Sequence, residues 1–185
     1  ENRELIGKQV ARTSTRCPSV AVLVPCYNEE KTVAGTIESL LALDYPKDKL
    51  NIVIIDDGST DNTFEVMKTF EHRPQVTLLQ KENGGKHTAL NLGISRTNTE
   101  LIGCLDADSF VAPNALTEIV KYFDDTTVMA VTPAVKIWDP KTVLERIQKA
   151  EYDMGIFLRK MFGVMDAIQV TPGPFSLFRK RVFDE

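Results

Sequence analysis

Two carboxylates one residue apart, Asp106 and Asp108, follow the short apolar run Leu101-Ile102-Gly103-Cys104-Leu105. Such a run reads as a buried parallel strand, which places the acids just past its carboxyl end, where open α/β sheets bind their ligands. Paired acids at this spacing can offer oxygens to one hard cation. A diphosphate cannot simply lie beside them, because like unit charges ~4 Å apart repel by roughly 4 kcal/mol at the effective dielectric of a protein. A divalent cation between them reverses the sign, so Asp106 and Asp108 point to Mg²⁺ or Mn²⁺ with diphosphate oxygens as co-ligands.

An Asp-x-Asp alone also suits a solvated turn, but two further apolar runs end in comparable chemistry. Ser19 to Val24 leads into Pro25-Cys26-Tyr27-Asn28-Glu29, and Leu50 to Ile55 into Asp56-Asp57-Gly58-Ser59. Turn formation could account for Asp57-Gly58 by itself. In a parallel sheet, however, all three tips share one rim. Carboxylates there can accept hydrogen bonds from ribose hydroxyls or from a base N–H, and Tyr27 can pack against a ring. Lys86, after Asn83-Gly84-Gly85, offers a positive point near a phosphate or is an ordinary lysine at a helix start.

Other chemistries fail on inspection. A phosphate-binding P-loop needs Gly where Gln80 stands and Ser or Thr where His87 stands. No G-x-G-x-x-G follows the first strand and no G-x-S-x-G occurs, which argues against a nicotinamide site and a serine nucleophile elbow. His72 and His87 share no metal-ligand spacing.

The elements that must position these residues alternate between strand and helix. The first strand, Ser19 to Val24, is expected to stop at Pro25, and a helix from about Lys31 to Leu43 to bury Val33, Ile37, Leu40 and Leu41. After the second strand, Asp61 or Asn62 is placed to cap a helix carrying Phe64, Met67 and Phe70. A strand over Val76 to Leu79 precedes a short helix through Leu90 and Leu92. Beyond the acidic pair, Pro113 and Asn114 open a helix with Leu116, Ile119, Val120 and Phe123 inward, and Val128 to Val131 forms a strand. Thr142 to about Phe162 reads as a long amphipathic helix with Leu144, Ile147, Tyr152, Ile156 and Leu158 among its apolar members. It packs on the sheet or lies on a membrane surface. Ile168-Gln169-Val170 then leads into Thr171-Pro172-Gly173-Pro174. The pattern predicts an α/β domain with a parallel sheet and helices on both faces, over residues 19–185 after a lead-in segment 1–18.

With 185 residues and 43% hydrophobic content, the chain can bury a sizeable single core. A net charge of −4 and a pI near 5.3 argue against nucleic acid as a partner. No apolar run approaches the ~18–20 residues of a membrane span. Cys17, Cys26 and Cys104 are odd in number and lack a C-x-x-C, so reduced thiols fit better than a disulfide frame or zinc site.

Val24 to Glu30, Asp56 to Asp61, Asn83-Gly84-Gly85-Lys86 and Asp106-Ala107-Asp108 occur in the order and spacing of inverting family 2 glycosyltransferases. The chain resembles that family, most closely the membrane-bound synthases of β-linked polysaccharides such as poly-N-acetylglucosamine, hyaluronan, chitin or cellulose. Glu151-Tyr152 and Gly173 to Arg179 extend the likeness. The resemblance implies a GT-A fold, Rossmann-like with a mostly parallel sheet, and transfer of a sugar from a UDP-sugar donor to a glycan acceptor with inversion. It implies that Pro25, Tyr27 and Glu29 line the nucleotide pocket and that Asp57 contacts the uracil. Lys86 would lie near the base and diphosphate, Asp106 near the ribose or diphosphate, and Asp108 on the Mg²⁺ or Mn²⁺ ion. Gly173 and Pro174 would shape the acceptor side.

In the family, an acidic motif shortly after the region matching Arg181-Val182-Phe183 supplies the general base, so that base is expected beyond Glu185 and neither Asp184 nor Glu185 takes its place. The synthases carry flanking membrane helices. The resemblance therefore implies a C-terminally incomplete domain, itself soluble, from a protein at the cytoplasmic face of the cell membrane. Two other readings stay open: a Mg²⁺-dependent phosphatase of haloacid dehalogenase type, with Asp106 as nucleophile, and a non-catalytic binding or scaffold domain. The first expects Thr or Val where Phe110 stands.

Overall fold

The computed structural model describes residues 16–165, 167 and 173–184. Most of the lead-in segment, Ile168-Gln169-Val170 and Thr171-Pro172 lie outside the described residues.

Four apolar runs form the parallel part of a six-stranded sheet, with β3 at its edge: β1 (Val20–Cys26), β2 (Leu50–Asp56), β3 (Val76–Gln80) and β4 (Leu101–Cys104). Two short strands, β5 (Ala130–Val131) and β6 (Ser176–Arg179), complete the order β3-β2-β1-β4-β6-β5. The first four run parallel, with Val22 opposite both Ile52 and Gly103. β6 is antiparallel to β4 and to β5. Arg179, buried at the end of β6, ties this edge down by donating to the carbonyls of Phe123, Asp125 and Val128.

Strand alternation divides the core between two faces. Val20, Val22 and Val24 pack with Val33, Ile37 and Leu40 of α1 (Val33–Leu41), Met67 of α2 (Thr63–Lys68) and Leu116 of α4 (Ala115–Val120). Leu23, Val53, Ile55 and Ile102 meet Ala89 of α3 (Lys86–Ser95) on the other face. Each fully buried Leu or Ile contributes roughly 1.5–3 kcal/mol through removal from water. The sheet thus has helices on both faces, and it is mostly parallel, as expected.

One local reading needs correction and two are narrowed. β1 does not stop at Pro25. The Leu23 carbonyl accepts from Leu105 and the Cys26 carbonyl from Asp57, so odd positions of β1 face β4 and even ones face β2. The β1–β4 ladder ends at Leu23 and Cys104, so Pro25, which lacks an N–H, faces a side where no ladder bond is required. Asn62 stands at the N-cap of α2 without a side-chain cap bond; Asp61 accepts instead from the Thr63 N–H at 2.9 Å. Finally, α5 (Val143–Val164) starts at a capping box in which Thr142 and Glu145 bond reciprocally at 3.2 and 3.0 Å. The sheet leaves its apolar residues Leu144, Ile147, Met154 and Phe157 exposed. Tyr152 and Ile156, which the sequence groups with them, lie on the more buried side of the helix.

Candidate active site

Strand order reverses at β1: β2 and β3 lie to one side and β4 to the other. Past Leu23 and Cys104 the two parallel strands part. A cleft of about 260 Å³ opens there, at the position where open α/β sheets take their ligands. β1 and its loop contribute Pro25, Cys26, Tyr27 and Glu29. Asp57 enters from the end of β2, Asp106 and Asp108 from the end of β4, and Lys86 from the first turn of α3. Seven of the residues singled out in the sequence therefore share one cleft. Gly173 and Pro174 do not line it. Gly173 is exposed, and Pro174 lines a separate hollow against α5 with Glu151 and Tyr152.

Several polar residues of the same motifs hold one another. Asn28, in the left-handed region at φ 56°, donates its N–H to the Ser59 hydroxyl at 3.0 Å and accepts from the Thr60 N–H at 2.8 Å. The Glu29 N–H donates to the Thr63 hydroxyl at 2.7 Å, and Glu30 accepts from the N–H of Asn62 at 3.1 Å. These bonds fasten the loop after β1 to the loop after β2. The sequence signal was present in the clustering of Asn, Ser, Thr and Asp, whose side chains bond nearby backbone, but which loop they would bridge to was not.

Asp56 and Asp57 are both buried, with Asp57 3% exposed. Asp56 accepts from the Ser59 N–H and the Gln80 amide, which shapes the turn. Asp57 points into the cleft inside a cradle of donors. Oδ1 accepts from Lys81 Nζ at 2.6 Å and from the Gly84 N–H at 3.1 Å, and Oδ2 from the Gly85 N–H at 2.8 Å. Burial pushes its carboxyl upward, but the Lys81 ammonium and the two N–H groups outweigh that and hold it below the usual carboxylate range. Asp57 is thus ionised and an acceptor only. Gly58 makes the cradle fit: its φ is +73°, and a Cβ there would sit 2.6 Å from the Asn83 nitrogen. Lys81, the ion-pair partner of Asp57, has no counterpart in the sequence reading. It lies in a loop without periodicity, and only the fold brings it behind Asp57.

The other end of the cleft is built differently. Lys86 Nζ donates to Asp106 Oδ1. Burial lowers the tendency of Lys86 to hold its proton, but the Asp106 bond and charge, with Asp108 adding, raise it above the ordinary lysine value. Cys104, behind them, is pushed up to about 11 by burial, with Lys86 opposing, which fits a thiol filling space. Asp108 is exposed, and its neighbour is the Ser109 hydroxyl at 3.4 Å. No group of three or more His, Cys, Asp or Glu able to enclose a metal occurs among the described residues. Two carboxylates at an open edge suit a cation that takes its remaining oxygens from water and substrate phosphates, as Mg²⁺ does.

A doubly wound sheet with an acidic cleft at its switch point places the chain among the α/β proteins that take their ligands there. The sequence narrows this further. Residues 21–185 match the family described as Glycosyl transferase family 2, and the chain belongs to that family. It is 34% identical to a poly-beta-1,6-N-acetyl-D-glucosamine synthase of Staphylococcus epidermidis over 182 residues, which are 97% of this chain and 43% of that protein. It is 35% identical to the synthase of the same name from Staphylococcus aureus strain COL, over 87% of this chain and 39% of the relative. The chain spans about two fifths of the length of these relatives. Among solved structures it resembles the mannosyltransferase PcManGT of Pyrobaculum calidifontis, in complex with GDP-Man and Mn²⁺. The TM-score is 0.79 and the identity 28%, over 99% of this chain and 51% of that one. S. aureus TarS 1–349 with UDP-GlcNAc shares the fold at a TM-score of 0.60 and 24% identity, covering 68% and 36% of the two chains. The fold is that of the GT-A glycosyltransferases. Family membership sets aside the phosphatase alternative.

Proposed function

We propose that this chain is the donor-binding part of an inverting glycosyltransferase that moves a sugar from a UDP-sugar to a growing glycan, with UDP-N-acetylglucosamine as donor. The observation that carries the proposal is the convergence of Asp57, Lys86, Asp106 and Asp108 on one cleft at the switch point of a family 2 domain. The poly-N-acetylglucosamine synthases that match this chain support the choice of sugar.

In this reading Asp57 accepts the N–H of the base, with Tyr27 and Pro25 forming the adjoining wall and Glu29 the floor of the loop. Lys86, kept protonated by Asp106, presents a cation toward the diphosphate. Asp108, with Asp106, would hold Mg²⁺ or Mn²⁺. When bound, that ion neutralises charge building on the departing UDP. Gly173 and Pro174 stand on the acceptor side, next to the hollow under α5. The acceptor hydroxyl needs a general base, which we place in the whole protein after Glu185, together with membrane segments that set the domain at the cytoplasmic face.

The test is titration of UDP-N-acetylglucosamine into the chain with Mg²⁺ or Mn²⁺, then with chelator. Saturable binding that weakens at least about tenfold on chelation, and equally in Asp108→Asn, is expected. Metal-independent binding that survives Asp108→Asn would remove the metal from the proposal. Failure to bind any nucleoside diphosphate would favour a scaffold role.

A further inference from the structure

The acidic pair sits in a tight turn. The Asp106 carbonyl accepts from the Ser109 N–H at 3.0 Å, which makes Ala107 and Asp108 the two central residues. Turns of this kind differ chiefly in which way the peptide between the central residues faces, and the flipped form puts the second of them at positive φ. Asp108 is not among the residues at positive φ, so the unflipped form is present. A flip would rotate the backbone at Asp108 and carry its side chain to a new direction.

The group that holds this peptide belongs to another element. The Ala107 carbonyl accepts from the Thr36 hydroxyl of α1 at 2.8 Å, across 71 residues of sequence. Thr36 is fully buried and Ala107 lines the cleft, so the bond lies directly beneath the cleft floor. A helical threonine ordinarily turns its hydroxyl to the carbonyl four residues earlier. Here that carbonyl, of Thr32, stands at 3.4 Å, and the single hydroxyl proton goes to the nearer Ala107. α1 holds the chain beyond the pair as well, where Ser39 Oγ accepts from the Val111 N–H at 3.3 Å. Gly35 permits this close approach, since a Cβ there would stand 2.8 Å from the Phe110 ring. We infer that Thr36 is a positioning residue for the acidic pair: by pinning the peptide between Ala107 and Asp108 it fixes the direction in which Asp108 presents its carboxylate to the cleft. It touches neither cation nor substrate and acts through the backbone of the turn. The inference rests on the nucleotide-sugar reading above, in which Asp108 and Asp106 would hold the cation, and adds what aims them.

The experiment titrates Mn²⁺ into the chain with saturating UDP and follows free Mn²⁺ by electron paramagnetic resonance. It compares wild type with Thr36→Val, Thr36→Ser and Tyr45→Phe. The Tyr45 hydroxyl donates to the Pro18 carbonyl at 2.7 Å, a buried bond at the opposite end of β1 from the cleft. Loss of folded fraction lowers the number of sites, whereas a misaimed carboxylate raises the dissociation constant, so the two are read separately. In Thr36→Val the dissociation constant rises about tenfold, as when a group that orients a metal ligand is removed. Thr36→Ser, which keeps the hydroxyl, and Tyr45→Phe, which removes a buried bond elsewhere, both retain the wild-type constant. Should Thr36→Val fail to fold, Thr36→Ala is measured in its place and is expected to weaken Mn²⁺ in the same way. An unchanged constant in Thr36→Val, or equal weakening in Thr36→Val and either Thr36→Ser or Tyr45→Phe, would overturn the inference and leave the proposed function standing. If wild type binds no Mn²⁺ in the presence of UDP, both fall together.

Discussion

The two ends of the cleft are built on opposite plans. At the β2 end, Asp57 is buried and three donors already fix it, so its position is set before any ligand arrives. At the β4 end, Asp108 is exposed, with the Ser109 hydroxyl 3.4 Å away as its neighbour. A planar base needs an acceptor aimed in one direction, and rigidity provides that. A hydrated cation needs oxygens that can adjust as waters leave and phosphates arrive, and openness provides that. On the proposed reading, one cleft separates orientation from charge handling, and the two carboxylates should answer differently to the same chemical change.

Asp57→Asn should have the largest effect. It turns one acceptor into a donor facing the Lys81 and glycine donors, and it leaves a half-buried ammonium without its counter-charge. A loss of about 3 kcal/mol in urea unfolding is expected, together with loss of UDP binding. Gly58→Ala tests the frame of the same end without touching the carboxylate. The left-handed backbone and the contact with Asn83 predict a loss of about 2 kcal/mol. Asp108→Asn, proposed to weaken metal-dependent binding, should leave unfolding within about 0.5 kcal/mol of wild type. Equal destabilisation by Asp108→Asn and Asp57→Asn would break the contrast between the two ends.

The smallest effect is in acid. The folded-state pKa of Asp57 lies below its ordinary value of 3.8, so its pairing contributes stability at neutral pH. That contribution erodes as pH falls toward the folded value and is gone below it. Unfolding midpoints measured from pH 7 down to about pH 3 should therefore fall less steeply in Asp57→Asn than in wild type.

Much of this was legible in the chain. The apolar runs of β1, β2 and β4 could only be buried strands, and their polar ends could only meet on one rim once the sheet was parallel. Residues whose meaning depends on a partner far along the chain were not legible. Lys81 has no pattern of its own. Pro25 looks like a strand stop until the divergence of β1 from β4 removes the need for its N–H. The two-residue β5 is too short to carry any period, and Gly173-Pro174 carries turn chemistry that says nothing of which hollow it borders. In α5 the 3.6-residue period announced an amphipathic helix correctly, but periodicity describes a side of a cylinder and is silent on what that side meets.

The bonds joining Asn28 to Ser59 and Thr60, Glu29 to Thr63 and Glu30 to Asn62 have a mechanical consequence. They weld two loops, some thirty residues apart in sequence, into one stiff jaw. The opposing jaw is fastened across by the contact of Lys86 with Asp106, a link that any arriving phosphate competes for. On the proposed reading, a diphosphate entering the cleft would meet a fixed flank on one side and, on the other, an ion pair with which its own charge competes.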